Sequence, residues 1–338
     1  MSILPSRAWL THAACALACL ALLAACSRKE GGESGGGKTP RPKTFAVIPK
    51  GTTHEFWKSV HAGANKAARE LGVEVIWKGP VREDDRDEQI KVVETFLARG
   101  VDGIVLAPLD DRALLPVLED AKARKVPVLI IDSSVQWDGY VSFVATDNEK
   151  AGGLAARGLA TLLGGKGSVL VMRYQTGSAS TSERERGFLS TLRTEFPALQ
   201  VVSDNQYGGA TTETAFATAE NLLSTHKDVQ GIFCPNESTT FGMLRALSAA
   251  GRAGKVRFFG FDASPKLVEA LQKAEIDGLV VQNPLRMGET AIRTLVALGQ
   301  NKPVDKRVDT GAVLVTRENM NEASVRALLA PDLARYLP

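Results

Sequence analysis

The residues of this 338-residue chain with the most obvious capacity for chemistry stand in surroundings that do not support it. Gly32 through Thr39 follow the Gly-x4-Gly-Lys-Thr spacing of a phosphate-binding loop. Such a loop works only between a strand and a helix, where backbone N–H groups converge on phosphate. Here no strand-like run precedes it, and Pro40 and Pro42 follow, so ATP binding is not expected. Beyond the first 25 residues the histidines are His54, His61 and His226, and no two have the spacing of a metal pair. No Gly-x-Ser-x-Gly elbow lies between a strand and a helix. Cys234 is the one cysteine of the folded body and has no clear histidine partner. These patterns give no case for an enzyme, a metal or a cofactor. Cys234 reads as a small apolar core residue.

The elements that could position a site begin after an export signal and a tether. Arg7 gives a positive start, and residues 13–25 form an apolar run rich in Ala and Leu. The run is shorter than the ~20 residues a helix needs to cross a bilayer, and it has the length of a signal-peptide core. It ends Leu23-Ala24-Ala25-Cys26, which resembles the bacterial lipobox. That resemblance implies that Cys26 becomes the lipidated N-terminus; an ordinary secretory cleavage site is the alternative. Residues 26–43, rich in Gly, Lys and Pro, read as a lipidated tether. Loss of Cys15 and Cys19 with residues 1–25 leaves no disulfide framework, so stability must come from a large core.

From Thr44 onward, β-branched runs alternate with amphipathic helices. Strands are expected at 45–48, 73–77, 103–106, 126–131, 168–172, 229–233, 256–260 and 279–281. Helices are expected between them, among others at 55–71, 88–99, 149–163, 184–195 and 287–298. Gly72 and Gly100 stop two helices, and Asp147 or Asn148 can cap another. Regular βα alternation predicts parallel sheets covered on both faces. The run is too long for one sheet, so two lobes are expected, with strand ends facing a common cleft. Apolar content of 44%, charged content of 23% and a net charge of +3 fit a globular protein and give no nucleic-acid footprint.

Motifs along this frame carry a family resemblance. They are Gly51-Thr52-Thr53-His54-Glu55-Phe56-Trp57, Gly103-Ile104-Val105-Leu106-Ala107-Pro108, and Pro127-Val128-Leu129-Ile130-Ile131-Asp132. Later come Ser180-Thr181-Ser182-Glu183-Arg184-Glu185-Arg186-Gly187-Phe188, Gly260-Phe261-Asp262-Ala263-Ser264-Pro265 and Val281-Gln282-Asn283-Pro284. In this order, over about 44–315, the chain resembles the type I periplasmic sugar-binding proteins. Within that family it resembles the ribose-binding-like solute-binding lipoproteins of ABC importers.

The resemblance implies two doubly wound α/β lobes joined by a three-strand hinge, with crossings near 146–147, 282–283 and 309–311. One lobe is expected to hold 44–146 and 283–309, the other 147–282 and 310–338. It implies capture of a small neutral sugar or polyol by hinge closure and delivery to an ABC permease with its cytoplasmic ATPase. The protein is then expected as a monomer, lipid-anchored in the periplasm or on the outer face of the cell membrane. Input to a chemoreceptor or receptor kinase is the alternative. A regulator related to the lac repressor would need a helix-turn-helix where this chain has a signal and a tether.

A sugar site needs acceptors, donors and groups that do both, because a buried hydroxyl without a partner costs about 1–3 kcal/mol. Asp132 and Asp262 end two strands and match the family's carboxylates, and Arg184 matches its arginine. Asn236 follows the strand at 229–233, and Gln282 lies at a crossing. Phe56 and Trp57 match the aromatics that sandwich the ring, and His54 a polar contact. Each also has a plainer reading. Phe56 lies on an apolar helix face, His54 can cap the helix, Asp132 and Asp262 suit turns and caps, and Arg184 belongs to a charge run. Two departures change the hydroxyls that can be read: Ala107 stands where the ribose pattern has Asn, and Ser133 where it has Arg. Ser133, Trp137 and Tyr207 are candidates to compensate.

Overall fold

A computed structural model of the protein describes residues 41–337. The expected signal peptide, Cys26 and most of the tether lie outside the described residues. Within them are two six-stranded sheets. The first holds β1 (Thr44–Ile48), β2 (Glu74–Trp77), β3 (Gly103–Leu106), β4 (Val128–Ile131), β5 (Phe143–Ala145) and β11 (Arg307–Asp309). Its order is β11-β5-β4-β3-β1-β2, parallel throughout. The second holds β6 (Gly167–Arg173), β7 (Leu199–Tyr207), β8 (Gly231–Phe233), β9 (Arg257–Phe261), β10 (Gly278–Gln282) and β12 (Ala312–Val315). Its order is β12-β10-β9-β8-β6-β7, parallel except for β12.

Both faces of each sheet are buried, which is why the strands read as continuous apolar runs. Alternate residues serve opposite faces. In the first sheet Ala46, Ile48, Ile104 and Ile130 join one core cluster, while Phe45, Val47, Val105 and Leu129 join the other. The second sheet divides likewise, with Leu170, Ile232 and Phe258 on one side and Val169, Phe233 and Phe259 on the other.

Ten helices cover these faces among the described residues: α1 (Glu55–Leu71), α2 (Arg86–Arg99), α3 (Leu115–Ala123), α4 (Asn148–Leu162), α5 (Ala179–Glu195), α6 (Thr212–Thr225), α7 (Glu237–Ala249), α8 (Pro265–Gln272), α9 (Pro284–Gly299) and α10 (Ala323–Leu329). Their ends follow local chemistry. Gly72 and Gly100 stop α1 and α2 in left-handed conformations, and Asp147 caps α4 through Lys150 N–H.

The sequence reading lacks β5, β7, β11, β12 and α10, and it starts α5 five residues late. β5 and β11 have three residues each, too few to show a period. β7 is an edge strand with mostly exposed, polar side chains. The first turn of α5, Ala179-Ser180-Thr181-Ser182, uses residues that favour caps and turns.

Three segments pass between the sheets: Ala145 to Asn148, Gln282 to Pro284, and Asp309 to Ala312. The first and third run side by side. Thr310 N–H donates to the Ala145 carbonyl at 3.0 Å, Asp147 N–H to Asp309 at 3.1 Å, and Thr146 Oγ1 to the Gly311 carbonyl at 3.3 Å. The C-terminus adds a further contact. Val325 of α10 packs into the second lobe's core, but the next residues return to α1 of the first lobe. There Arg69 donates to the Arg335 carbonyl at 2.6 Å and Asn65 to the Tyr336 carbonyl at 3.0 Å.

Candidate functional site

The carboxyl ends of both sheets face one crevice. All eight candidates from the sequence line it: His54, Phe56, Trp57, Asp132, Arg184, Asn236, Asp262 and Gln282. Lys50, Glu83, Tyr174, Ser180 and Thr181 line it as well and were not singled out in the sequence.

Asp132 directly follows β4 and Asp262 directly follows β9, and both have positive φ, 60° and 67°. Left-handed backbone is strained for most residues but tolerated by Asp. Arg184 lies between them, with Nη2 3.7 Å from Asp132 and Nη1 4.0 Å from Asp262. Its Nε donates to Asn148 at 2.8 Å, Nη1 donates to the Pro235 carbonyl at 3.0 Å, and its Cζ lies over the Phe261 ring, 4.1 Å from the ring centre. Neighbouring Arg186 instead points outward to Glu149 at 2.9 Å. Gln282 donates to Asp262 at 2.7 Å. Among the described residues that line the crevice, two buried side-chain atoms are left without hydrogen-bond partners: the Arg184 Nη2 donor and the Gln282 Oε1 acceptor. Buried polar atoms without partners are uncommon, and a single hydroxyl both accepts and donates.

Asn236 also caps α7, a role not assigned to it from the sequence. Its side chain accepts from Thr239 N–H at 3.3 Å and from Thr239 Oγ1 at 2.6 Å, at the start of α7. His54 makes no cap with its side chain. Phe56 and Trp57 pack edge to face, 4.9 Å between centres, and both are part of the core as well as the crevice. The core reading and the crevice position are therefore compatible.

Lys50 supplies the cation beside Asp132. Its Nζ is 2.7 Å from Asp132 Oδ2 and donates to Ser133 at 2.9 Å and to Ser180 at 3.0 Å. Ser133 thus borders the site through Lys50. Trp137 and Tyr207 do not reach it: Trp137 is in the core and donates to Glu119, and Tyr207 is 43% exposed on the β7 edge. A signal for Lys50 existed, since it stands two residues after β1, at a strand's carboxyl end. Glu83 had none, because Arg82-Glu83-Asp84-Asp85 reads as a solvated charge run.

The electrostatics are strongly perturbed. Burial alone would lower His54, but the Glu83 carboxylate 2.7 Å away raises it to about 9. Burial would raise Glu83, but His54, Lys50 and the Tyr174 hydroxyl hold it near 2. Burial raises Glu237 to about 7; its carboxylate accepts Glu55 and Phe56 N–H groups at 3.4 and 3.3 Å, across the crevice at the start of α1. Burial also raises Asp262 and lifts the Cys234 thiol well above its usual range. Among the described residues no group of His, Cys, Asp and Glu could hold a metal, and no helix is long and apolar enough to cross a membrane.

Comparison with known proteins agrees with this architecture. The family model described as "periplasmic binding protein domain" matches residues 45–303. The ribose import binding protein of Bacillus subtilis is 28% identical over 301 residues, covering 88% of this chain and 96% of that one. The D-ribose/D-allose-binding protein of Pseudomonas aeruginosa is 28% identical over 293 residues, covering 82% and 90%. Among solved structures, a carbohydrate transporter solute-binding protein from Agrobacterium radiobacter in complex with D-arabinose has a TM-score of 0.83 and 34% identity. That match covers 86% of this chain and 100% of the other. An ABC transporter solute-binding protein from Agrobacterium vitis with bound D-fucose has a TM-score of 0.82 and 35% identity, covering 85% and 100%. With the two sheets, the three crossings and the shared crevice, these matches establish that the chain belongs to the periplasmic binding protein family, in its type I sugar-binding branch.

Proposed function

We propose that this chain is the solute-binding component of an ABC importer, capturing a small neutral sugar or polyol in the crevice and presenting it to a membrane permease driven by a cytoplasmic ATPase. The observation that carries this reading is the meeting of Asp132, Arg184, Asp262 and Gln282 with one donor and one acceptor unsatisfied. The charges of the crevice support a neutral ligand. Lys50, His54 and Arg184 stand against Glu83, Asp132 and Asp262, with Glu237 near His54 outside the lining, and burial raises Asp262 and Glu237. The relatives are import binding proteins, which favours delivery to an importer over docking on a sensor. The ligand bridges both lobes, so its binding energy favours their closure.

A thermal-shift screen of pentoses, hexoses, deoxysugars, polyols and inositols tests this reading. D-arabinose, D-fucose, D-ribose and D-allose lead the series because the relatives' names include them. At least one compound is expected to raise the melting temperature and reduce the radius of gyration in solution scattering. No shift across the whole series would overturn the reading.

Lipid anchoring through Cys26 is part of the same proposal, as are residence in the periplasm or on the outer face of the cell membrane and a monomeric state. The lipobox-like Leu23-Ala24-Ala25-Cys26 supports the anchor. Cys26→Ser is expected to move the protein from the membrane fraction to the soluble one; unchanged fractionation removes the anchor.

A further inference from the structure

Glu83 has most of its hydrogen-bonding capacity occupied, and its partners come from both lobes. It lies in the loop between β2 and α2 and is buried. Oε1 is 2.7 Å from His54 Nδ1 and accepts from Trp57 Nε1 at 2.5 Å. Oε2 accepts from the Tyr174 hydroxyl at 2.7 Å, and the Glu83 carbonyl accepts from Gln175 Nε2 at 2.8 Å. His54 and Trp57 belong to the first lobe; Tyr174 and Gln175 follow β6 in the second. The contact therefore joins the lobes through protein atoms alone. Space has been left for it: a Cβ on Gly51 would stand 2.8 Å from Glu83 Cγ.

We propose that Glu83 is a positioning residue that orients His54 and Trp57 and, through Tyr174, clasps the two lobes together. Its effect on ligand rests on the sugar reading above; the clasp does not. A carboxylate offers about four acceptor sites, and three are taken, so Glu83 acts through its neighbours rather than on the ligand. The indole N–H of Trp57 is committed, which sets the plane of its ring against the crevice. His54 gives Nδ1–H to Glu83, and with the imidazole held protonated its Nε2 can only donate. The ligand atom that meets His54 is therefore an acceptor oxygen. Glu237 and Asp262 of the second lobe also bear on His54 and reinforce its charge. Hydrogen bonds to charged groups are the stronger kind, so loss of the Tyr174 hydroxyl is expected to move the lobe equilibrium about tenfold toward separation.

Two measurements without any ligand test this. The first is the distance between spin labels on one exposed residue of each lobe, in wild type and in Tyr174→Phe. The short-distance population is expected to fall in the variant, and identical distributions overturn the clasp. The second is long-range 1H–15N spectroscopy of His54 at pH 7. Both ring nitrogens are expected to be protonated in wild type, and His54 is expected to titrate lower by roughly one pH unit or more in Glu83→Gln. A neutral His54 in wild type, or an unchanged titration in the variant, overturns the positioning role. The wild-type spectrum decides even if a variant fails to fold. A protein that binds no sugar but shows both effects loses the transport reading and keeps the clasp; sugar binding with neither effect does the reverse.

Discussion

Asp132 and Asp262 hold equivalent places in the two lobes. Each is the first residue after the fourth strand of its half, each has left-handed backbone, and each donates its N–H to the neighbouring strand, to Val144 at 3.2 Å and to Val280 at 2.9 Å. Between them lies Arg184. Two carboxylates placed by the same turn thus meet one guanidinium across the crevice.

The left-handed backbone separates two substitutions at Asp262. Asn tolerates that conformation, whereas Ala pays about 1–2 kcal/mol for its Cβ. Asp262→Asn is expected to keep near wild-type stability and Asp262→Ala to lose that amount in urea unfolding. Both are expected to weaken the affinity for whichever sugar binds by at least about tenfold. Unchanged affinity in calorimetry removes Asp262 from the site.

Lys50 and Asp132 form a buried ion pair, their side chains 3% and 5% exposed. Breaking such a pair costs up to about 3–5 kcal/mol, because Asp132 is left with only the more distant Arg184 guanidinium at 3.7 Å. Lys50→Met is expected to lose stability in that range and to bind sugar more weakly. Lys50→Met with Asp132→Asn is expected to recover most of the stability, because no buried charge then stands alone, without recovering the binding. Equal stability of the single and double variants contradicts this.

Stability should peak in mild acid. Glu83 is held near 2, below its ordinary 4.5, so its contribution is present above pH 4.5 and lost as pH falls through 2. His54, raised from 6.5 to about 9, contributes fully below pH 6.5 and loses that contribution as pH rises through 9. Glu185 and Glu237, raised by burial from 4.5 to about 7, bind protons more tightly when folded, so stability also falls as pH rises from 4.5 through 7. Melting temperatures are expected to be highest near pH 4.5–5 and to decline on both sides. In Glu83→Gln the acid limb attributable to Glu83 should disappear. A flat profile from pH 4 to 9 counts against these assignments.

Glycines hold the helix pair that carries Arg184. A Cβ on Gly152 of α4 would lie 2.0 Å from the Arg184 carbonyl, and one on Gly187 of α5 1.9 Å from the Glu149 carbonyl. The first lobe repeats the device with Gly63 and Gly288 between α1 and α9. Gly187→Ala is expected to force α4 and α5 apart, costing about 1–3 kcal/mol and weakening sugar binding by displacing Arg184. Normal unfolding and affinity in this variant indicate that the helices can separate freely.

Much of the architecture was readable in the chain because fully buried parallel strands leave continuous apolar runs, and the helices between them carry caps such as Asp147 and stops such as Gly72. What escaped was short or polar: β5 and β11 with three residues each, the exposed edge β7, and the serine-rich first turn of α5. The same divide runs through the crevice. Asp132, Asp262 and Gln282 stand at strand ends, where position in the βα repeat marks them. Tyr174 and Glu83 are tied together across 91 residues of chain, a distance over which no local period carries information.

By itself the sequence determined the two-lobed α/β frame and eight of its twelve strands, because hydrophobic periodicity and helix capping are local properties of the chain. The tertiary structure decided which charges meet: that Lys50 serves Asp132, that Glu83 holds His54, Trp57 and Tyr174, and that Trp137 and Tyr207 stay out of the crevice. The first of those pairings depends on how the strand ends of one sheet converge, and the bond from Tyr174 to Glu83 on how the two sheets face each other; electrostatic partnership follows distance in space rather than order along the chain.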